Sequence, residues 1–318
     1  MKKVLVTGAS GFVGRALSFA LLEQGHTVRA VVRSADSISP SEGLDVVELQ
    51  SLDANTDWLT AVNGQQIVIH AAARAYSMTD KAADSLREYR LVNVEGTLNL
   101  ARQAVGAGVR RFIFISSIKV NGEQTTGGNR YRAEDLPAPE DAYGISKYEA
   151  EQGLMQISDN TGLEVVIIRP PLVYGPGVKG NFSSIMRVVK KGFPLPLGAI
   201  NNKRSLVAID NLVDLIITCI DHPAAVNQVF LAGDGEDLST TELLRGVAKA
   251  AGISSCLIPV PTSVLIFLAL IFDKKAIAQR LLGSLQVDVT KAHDLLGWTP
   301  PLSVKEGLRR CFVDNTES

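Results

Sequence analysis

Seven residues near the amino terminus constrain this chain more than any others: Gly8-Ala9-Ser10-Gly11-Phe12-Val13-Gly14. They follow a short β-branched run, Lys3 to Val6. They open a stretch of helical spacing in which Phe12, Val13, Ala16, Leu17, Ala20 and Leu21 recur before Gly25 stops it. A strand, a tight glycine turn and a helix in that order leave free N–H groups and a helix dipole at the sheet edge, where they meet a phosphate. A second strand, Thr27 to Val32, follows where a β-α-β unit requires it. The spacing therefore predicts a dinucleotide cradle made of Gly8, Ser10, Gly11, Phe12, Val13 and Gly14. The plain alternative is a tight strand-to-helix turn.

The alternation continues. Asp45 to Leu49, Gln66 to His70, Arg111 to Ser116 and Val165 to Ile168 read as strands, and Val92 to Ala107 and Tyr143 to Ser158 as helices. Strands separated by helices predict an α/β fold, a doubly wound parallel-sheet Rossmann domain. After Arg169-Pro170-Pro171 the texture changes to a segment punctuated by proline and glycine, which predicts a smaller, mixed C-terminal substrate lobe. The expected division is a dinucleotide-binding domain over 1–171, to which 203–230 returns as one more strand and helix. A substrate lobe takes 172–202 and 231–318.

Composition excludes several classes. Lys+Arg is 32 against Asp+Glu 33, a net charge of -1 that argues against a nucleic-acid surface. Three scattered cysteines without a C-x-x-C pair give neither a disulfide framework nor a metal site, and a cytoplasmic location is expected. The apolar run Val264 to Phe272 spans about 14 Å as a helix, half of a bilayer core, so it does not cross a membrane. It is expected to be a buried or interface helix, with membrane-surface contact as the alternative.

The end of the second strand bears on the cofactor. It reads Ala30-Val31-Val32-Arg33-Ser34 and lacks the acid that holds a ribose in NAD enzymes. Arg33 with Ser34 suits a 2′-phosphate, so NADP(H) is favoured over NAD(H). The alternative for Arg33 is a solvated strand end.

Tyr143-Gly144-Ile145-Ser146-Lys147 is Y-x-x-x-K at a helix start, with both side chains on one face. Tyrosine is a poor base at neutral pH, but a nearby ammonium and an oxidised nicotinamide both favour phenolate. Ser117 follows Phe114-Ile115-Ser116 at the same sheet edge and is placed to hold a reacting oxygen beside it. The plain readings are a helix-entry aromatic and a strand-ending serine.

These residues together resemble the extended short-chain dehydrogenase/reductase family, specifically its nucleotide-sugar epimerases, dehydratases and reductases. Further matches are Val68 to Ala73, Asn93-Val94-Glu95-Gly96-Thr97, Arg169-Pro170 and Val173 to Gly177. The resemblance implies that Ser117, Tyr143 and Lys147 form a catalytic triad, with Tyr143 and Lys147 also against the cofactor. It implies that Ala71, Ala72 and Ala73 flank the cofactor, that Asn93 orders the sheet edge, and that Asn181 and Arg204 contact the substrate diphosphate. Dehydratases of the family carry an acid pair where Ile118 and Lys119 stand, so that activity is not expected. Asn121 stands in place of a frequent tyrosine. The stretch Ser116 to Glu123 is similar to bacterial surface-polysaccharide enzymes that act at carbon 4 of UDP-sugars.

Reduction of a UDP-4-keto-6-deoxy-hexosamine by NADPH is the first expectation. A UDP-sugar 4-epimerase with retained NAD, acting on UDP-glucose or UDP-N-acetylglucosamine, is the alternative, and a non-catalytic nucleotide sensor a remote one. The resemblance also implies a homodimer through Leu91–Ala107 and Tyr143–Ser158, with Leu98, Ala101, Ala150 and Leu154 on a second apolar face.

Overall fold

The computed structural model describes residues 1–75 and 82–312. In chain order its first part runs β1 (Lys3–Thr7), α1 (Phe12–Glu23), β2 (Thr27–Val32), β3 (Leu44–Glu48), α2 (Leu59–Val62), β4 (Ile67–His70), α3 (Ala82–Tyr89), α4 (Thr97–Gly106), β5 (Arg111–Ile115), α5 (Ala142–Thr161) and β6 (Glu164–Arg169). The second part runs β7 (Leu172–Tyr174), α6 (Asn181–Lys190), β8 (Arg204–Ala208), α7 (Ile209–Asp221), β9 (Gln228–Leu231), β10 (Asp237–Leu238), α8 (Thr240–Ala250), α9 (Thr262–Ile271), α10 (Lys275–Leu282), α11 (Thr290–Leu296) and α12 (Val304–Arg310).

Seven strands form one parallel sheet in the order β3-β2-β1-β4-β5-β6-β9. Its central strands are apolar on both faces, as helix-covered parallel strands must be; every residue of β4 and β5 is buried. One face packs Leu17, Leu21, Leu212 and Ile216 of α1 and α7. The other packs Leu100, Ala104, Ala150 and Leu154 of α4 and α5. Strand order reverses between β1 and β4, and that crevice at the carboxyl ends of the strands is where open α/β sheets take ligands.

The return of 203–230 differs from expectation. Its helix, α7, does come back to the large sheet, but its strand does not. β8 pairs with β7 and β10 in a separate three-stranded sheet. The prolines after Arg169 turn the chain off the large sheet, and β8 follows β7 in parallel register, Leu172 opposite Leu206. The seventh position goes to β9, whose Phe230 and Leu231 are buried. Nor do residues 231–318 all lie in the smaller lobe: Ala292, Leu296 and Trp298 join the core beneath the large sheet. The smaller lobe closes on Tyr174, Phe182, Leu206, Val247 and Leu308.

The 264–272 run also departs from expectation. It forms α9, but no residue of that helix is buried.

Candidate active site

The cradle is built by steric necessity. Gly8 has a φ of +66°, and a Cβ there would lie 2.8 Å from the Ala72 nitrogen. A Cβ on Gly14 would come within 2.2 Å of the Gly8 carbonyl oxygen, so α1 meets the turn only through glycine. Gly11 donates its N–H to the Gly8 carbonyl at 2.8 Å. It precedes α1 with no side-chain cap and no acidic residue in the first turn, which leaves the helix start for an anion. Ser10 and Gly11 are exposed, and Phe12 and Val13 half-buried. Ala71 and Ala72 lie against Gly8, and Ala73 follows them. These residues fit the diphosphate of a dinucleotide. Arg33 is exposed at the end of β2 and makes no ion pair among the described residues.

Two strand ends and α5 assemble the reactive groups. β5 delivers Ser117 just past its last residue, and Asp141 caps α5 by accepting from the Gly144 N–H at 2.7 Å. The Tyr143 hydroxyl shares a hydrogen bond with Ser117, and its ring meets Tyr89 edge-on at 5.8 Å. One turn on, Lys147 Nζ donates to the Ile115 carbonyl at 2.9 Å and sits 4.4 Å from the Phe114 ring centre. The structure brings Ser117 and Tyr143 together and sets Lys147 one turn away against the end of β5.

The electrostatics run against the phenolate expected from sequence. Burial pushes the Tyr143 phenol well above its ordinary range; Asp141 and Tyr89 add to this, and the Ser117 hydrogen bond opposes it. Burial lowers the Lys147 ammonium to about 7, against the attraction of Glu151. Desolvation dominates both groups, and the protein alone keeps the phenol protonated.

Behind this pair lie residues that sequence reasoning missed. Glu151 accepts from Arg169 Nε at 3.0 Å and Nη2 at 2.5 Å, and from Ser116 Oγ at 2.5 Å. Arg169 also reaches Asn121 Oδ1 at 2.9 Å. Asn121, which stands in place of a frequent tyrosine, is thus buried, and its Nδ2 donates to the Arg132 carbonyl at 2.9 Å. Glu151 lies one turn beyond Lys147, an i, i+4 signal legible in the sequence, but its partner on β6 is not predictable from spacing. Asn93 does order the sheet edge: its Oδ1 accepts from the Arg74 N–H at 2.9 Å and its Nδ2 donates to Ser146 Oγ at 3.0 Å. Ser146 Oγ in turn donates to the Tyr143 carbonyl at 2.8 Å.

Arg204 lies on β8, half-buried, and donates to the Gly283 carbonyl at 3.0 Å. Burial lowers its pKa, and the Arg280 charge adds to that. Arg280 is a second cation near the site that the sequence did not flag. Asn181 is the first residue of α6, and its side chain lies outside the described residues. Ile118 is buried, and Lys119 bonds both Glu123 and Asp141. No carboxylate stands where dehydratases carry their acid pair.

The sequence model of the "NAD dependent epimerase/dehydratase family" matches residues 4–233. A Vibrio cholerae protein named UDP-glucose 4-epimerase is 50% identical over 311 residues, 97% of this chain and 94% of that one. A GDP-6-deoxy-D-mannose reductase of Pseudomonas aeruginosa is 27% identical over 98% of this chain and 97% of that one. Among solved structures, a UDP-glucuronic acid 4-epimerase from Bacillus cereus in complex with NAD superposes with a TM-score of 0.78 at 22% identity, covering 98% and 97% of the two chains.

Proposed function

We propose that this chain, which belongs to the NAD dependent epimerase/dehydratase family, inverts carbon 4 of a UDP-sugar and retains NAD while doing so. The observation that carries the reading is the Tyr143 hydroxyl, hydrogen-bonded to Ser117 at the switch-point edge of the sheet beside the glycine cradle. The half-identical Vibrio cholerae relative favours epimerase over reductase, and the reductase relative is far more distant.

Tyr143 takes the proton from the carbon-4 hydroxyl and later returns it. Ser117 Oγ orients the sugar oxygen beside the phenol. When bound, the nicotinamide supplies the hydride acceptor and a positive charge that favours phenolate. Lys147, with its ammonium lowered to about 7, holds or releases a proton near neutral pH. Arg204, with Arg280 nearby, faces the substrate diphosphate. Lys119, tied to two carboxylates, offers no base for water loss.

NAD fits a reaction that regenerates its own oxidised cofactor. The NADP(H) expectation rests on Arg33 and Ser34 at the end of β2 and on the lack of an acid there. A homodimer through α4 and α5 is part of the proposal, but on a revised face. Ala101, Ala150 and Leu154 are fully buried in the core, and Leu98 packs against Gly153. Exposed Leu91, in the helical turn 90–96 that leads into α4, and half-buried Tyr148 and Met155 of α5 carry the outer face instead. Incubation with UDP-glucose and with UDP-N-acetylglucosamine, without added dinucleotide, tests the function. One of them is expected to yield its carbon-4 epimer. Turnover only of 4-keto-sugars, at the expense of added NADPH, would restore the reductase.

A further inference from the structure

Helix α9 has the sequence TSVLIFLALI, packs against α10, and has no buried residue. Val264, Ile266, Phe267, Leu268, Leu270 and Ile271 are 42–62% exposed. At about 100° per residue these positions, with exposed Phe272, sweep roughly 240° of the helix circumference. Only Thr262, Leu265 and Ala269 are half-buried. Ile258, four residues ahead of α9, is exposed too, and its N–H bonds the Leu195 carbonyl at 2.8 Å.

A flat protein partner covers one side of a helix and leaves the other wet. Apolar side chains over two-thirds of the circumference call for a medium that wraps the helix. The acyl boundary of a bilayer does so, taking surface helices about 5–10 Å deep against a helix diameter of about 10–12 Å. Charge points to the same occupant. No acidic residue occurs between Glu242 and Asp273, and Lys274 and Lys275 follow α9 with Asp273 as the sole carboxylate of the hairpin. Lys274 is exposed at the turn into α10. Cations beside an apolar element complement anionic headgroups.

We propose that the α9–α10 hairpin seats this protein on the surface of an anionic bilayer without crossing it. No helix among the described residues is long and apolar enough to span. The same hairpin ends at Gly283, whose carbonyl accepts from Arg204, the side chain that the proposed function turns to the substrate diphosphate.

The test is flotation of the full chain with vesicles of phosphatidylethanolamine and phosphatidylglycerol, and separately of phosphatidylcholine alone. The wild type is expected to float with the anionic vesicles. Leu268→Ser with Ile271→Ser should abolish flotation while keeping the thermal midpoint, since neither side chain is buried. Lys274→Glu with Lys275→Glu should lower it on the order of tenfold. Failure of the wild type to float, equal flotation of the variants, or equal flotation on phosphatidylcholine overturns the proposal. Self-association in solution that the serine variant loses, without flotation, assigns the face to a second copy and overturns it too.

Discussion

His70 gives the sharpest stability prediction. It ends β4 immediately before the alanines that flank the cradle, and is 1% exposed. Its Nδ1 lies 2.7 Å from Thr7 Oγ1 and its Nε2 3.0 Å from Thr97 Oγ1. The Thr97 hydroxyl donates to the Asn93 carbonyl at 2.8 Å, so it accepts from Nε2–H. Thr7 Oγ1 accepts from the Ala72 N–H at 3.2 Å, and its own proton goes to Nδ1. Every site on the neutral ring is thus used, and a second ring proton would face a donor. Burial, with the Lys147 charge adding to it, lowers the pKa from 6.5 to about 3. The folded state refuses a proton that the unfolded chain accepts, so the stabilisation is full above pH 6.5 and lost as pH falls towards 3. From pH 7 to pH 5 this single ring removes about 2 kcal/mol, at roughly 1.4 kcal/mol per unit. Urea unfolding of the wild type and of His70→Gln at both pH values measures it. The variant starts less stable but should lose about 2 kcal/mol less between them. Parallel pH dependence in the two proteins would refute the buried-neutral assignment.

Tyr143→Phe should keep the fold and dinucleotide binding while turnover falls by a factor on the order of a hundred or more; near-normal turnover removes the proton-transfer role. Arg33→Asp should weaken NADP(H) far more than NAD(H) in titrations, if Arg33 meets a 2′-phosphate; an unchanged preference leaves it a solvated strand end. Gly14→Ala should abolish dinucleotide binding and lower the thermal midpoint, because its Cβ would stand 2.2 Å from the Gly8 carbonyl oxygen; normal binding would contradict the cradle. Sedimentation at micromolar concentration should give a dimer that Tyr148→Glu weakens, and a monomeric wild type refutes the α4–α5 face.

Local patterns explain how much of this was readable in advance. The strands were legible because β-branched runs such as Val4 to Val6 and Ile67 to Ile69 are bounded by turn residues. The cradle was legible because its glycines serve a local steric need. Arg204–Ala208 has the same texture as a large-sheet strand, and no periodicity tells which sheet a strand joins. Glu151 and Arg169 meet across 18 residues of sequence, and His70 and Thr7 across 63, so neither pair leaves a spacing signal. The lowered Lys147 pKa comes from burial that only the packed structure supplies. A wholly apolar run predicts cover on at least one side, and α9 has it only at Thr262, Leu265 and Ala269, because no pattern in the run itself says how much of it the rest of the chain reaches.

The central claim is that carbon 4 gives up its hydrogen as hydride and receives it back on the other face. The direct measurement uses UDP-glucose carrying deuterium at carbon 4, incubated with the purified protein and no added dinucleotide, and read by proton and deuterium NMR. Hydride removal and return within the site give the carbon-4 epimer with the deuterium still on carbon 4 and none released to water. An epimer whose label has exchanged with solvent, or turnover that consumes added dinucleotide mole for mole, would contradict it.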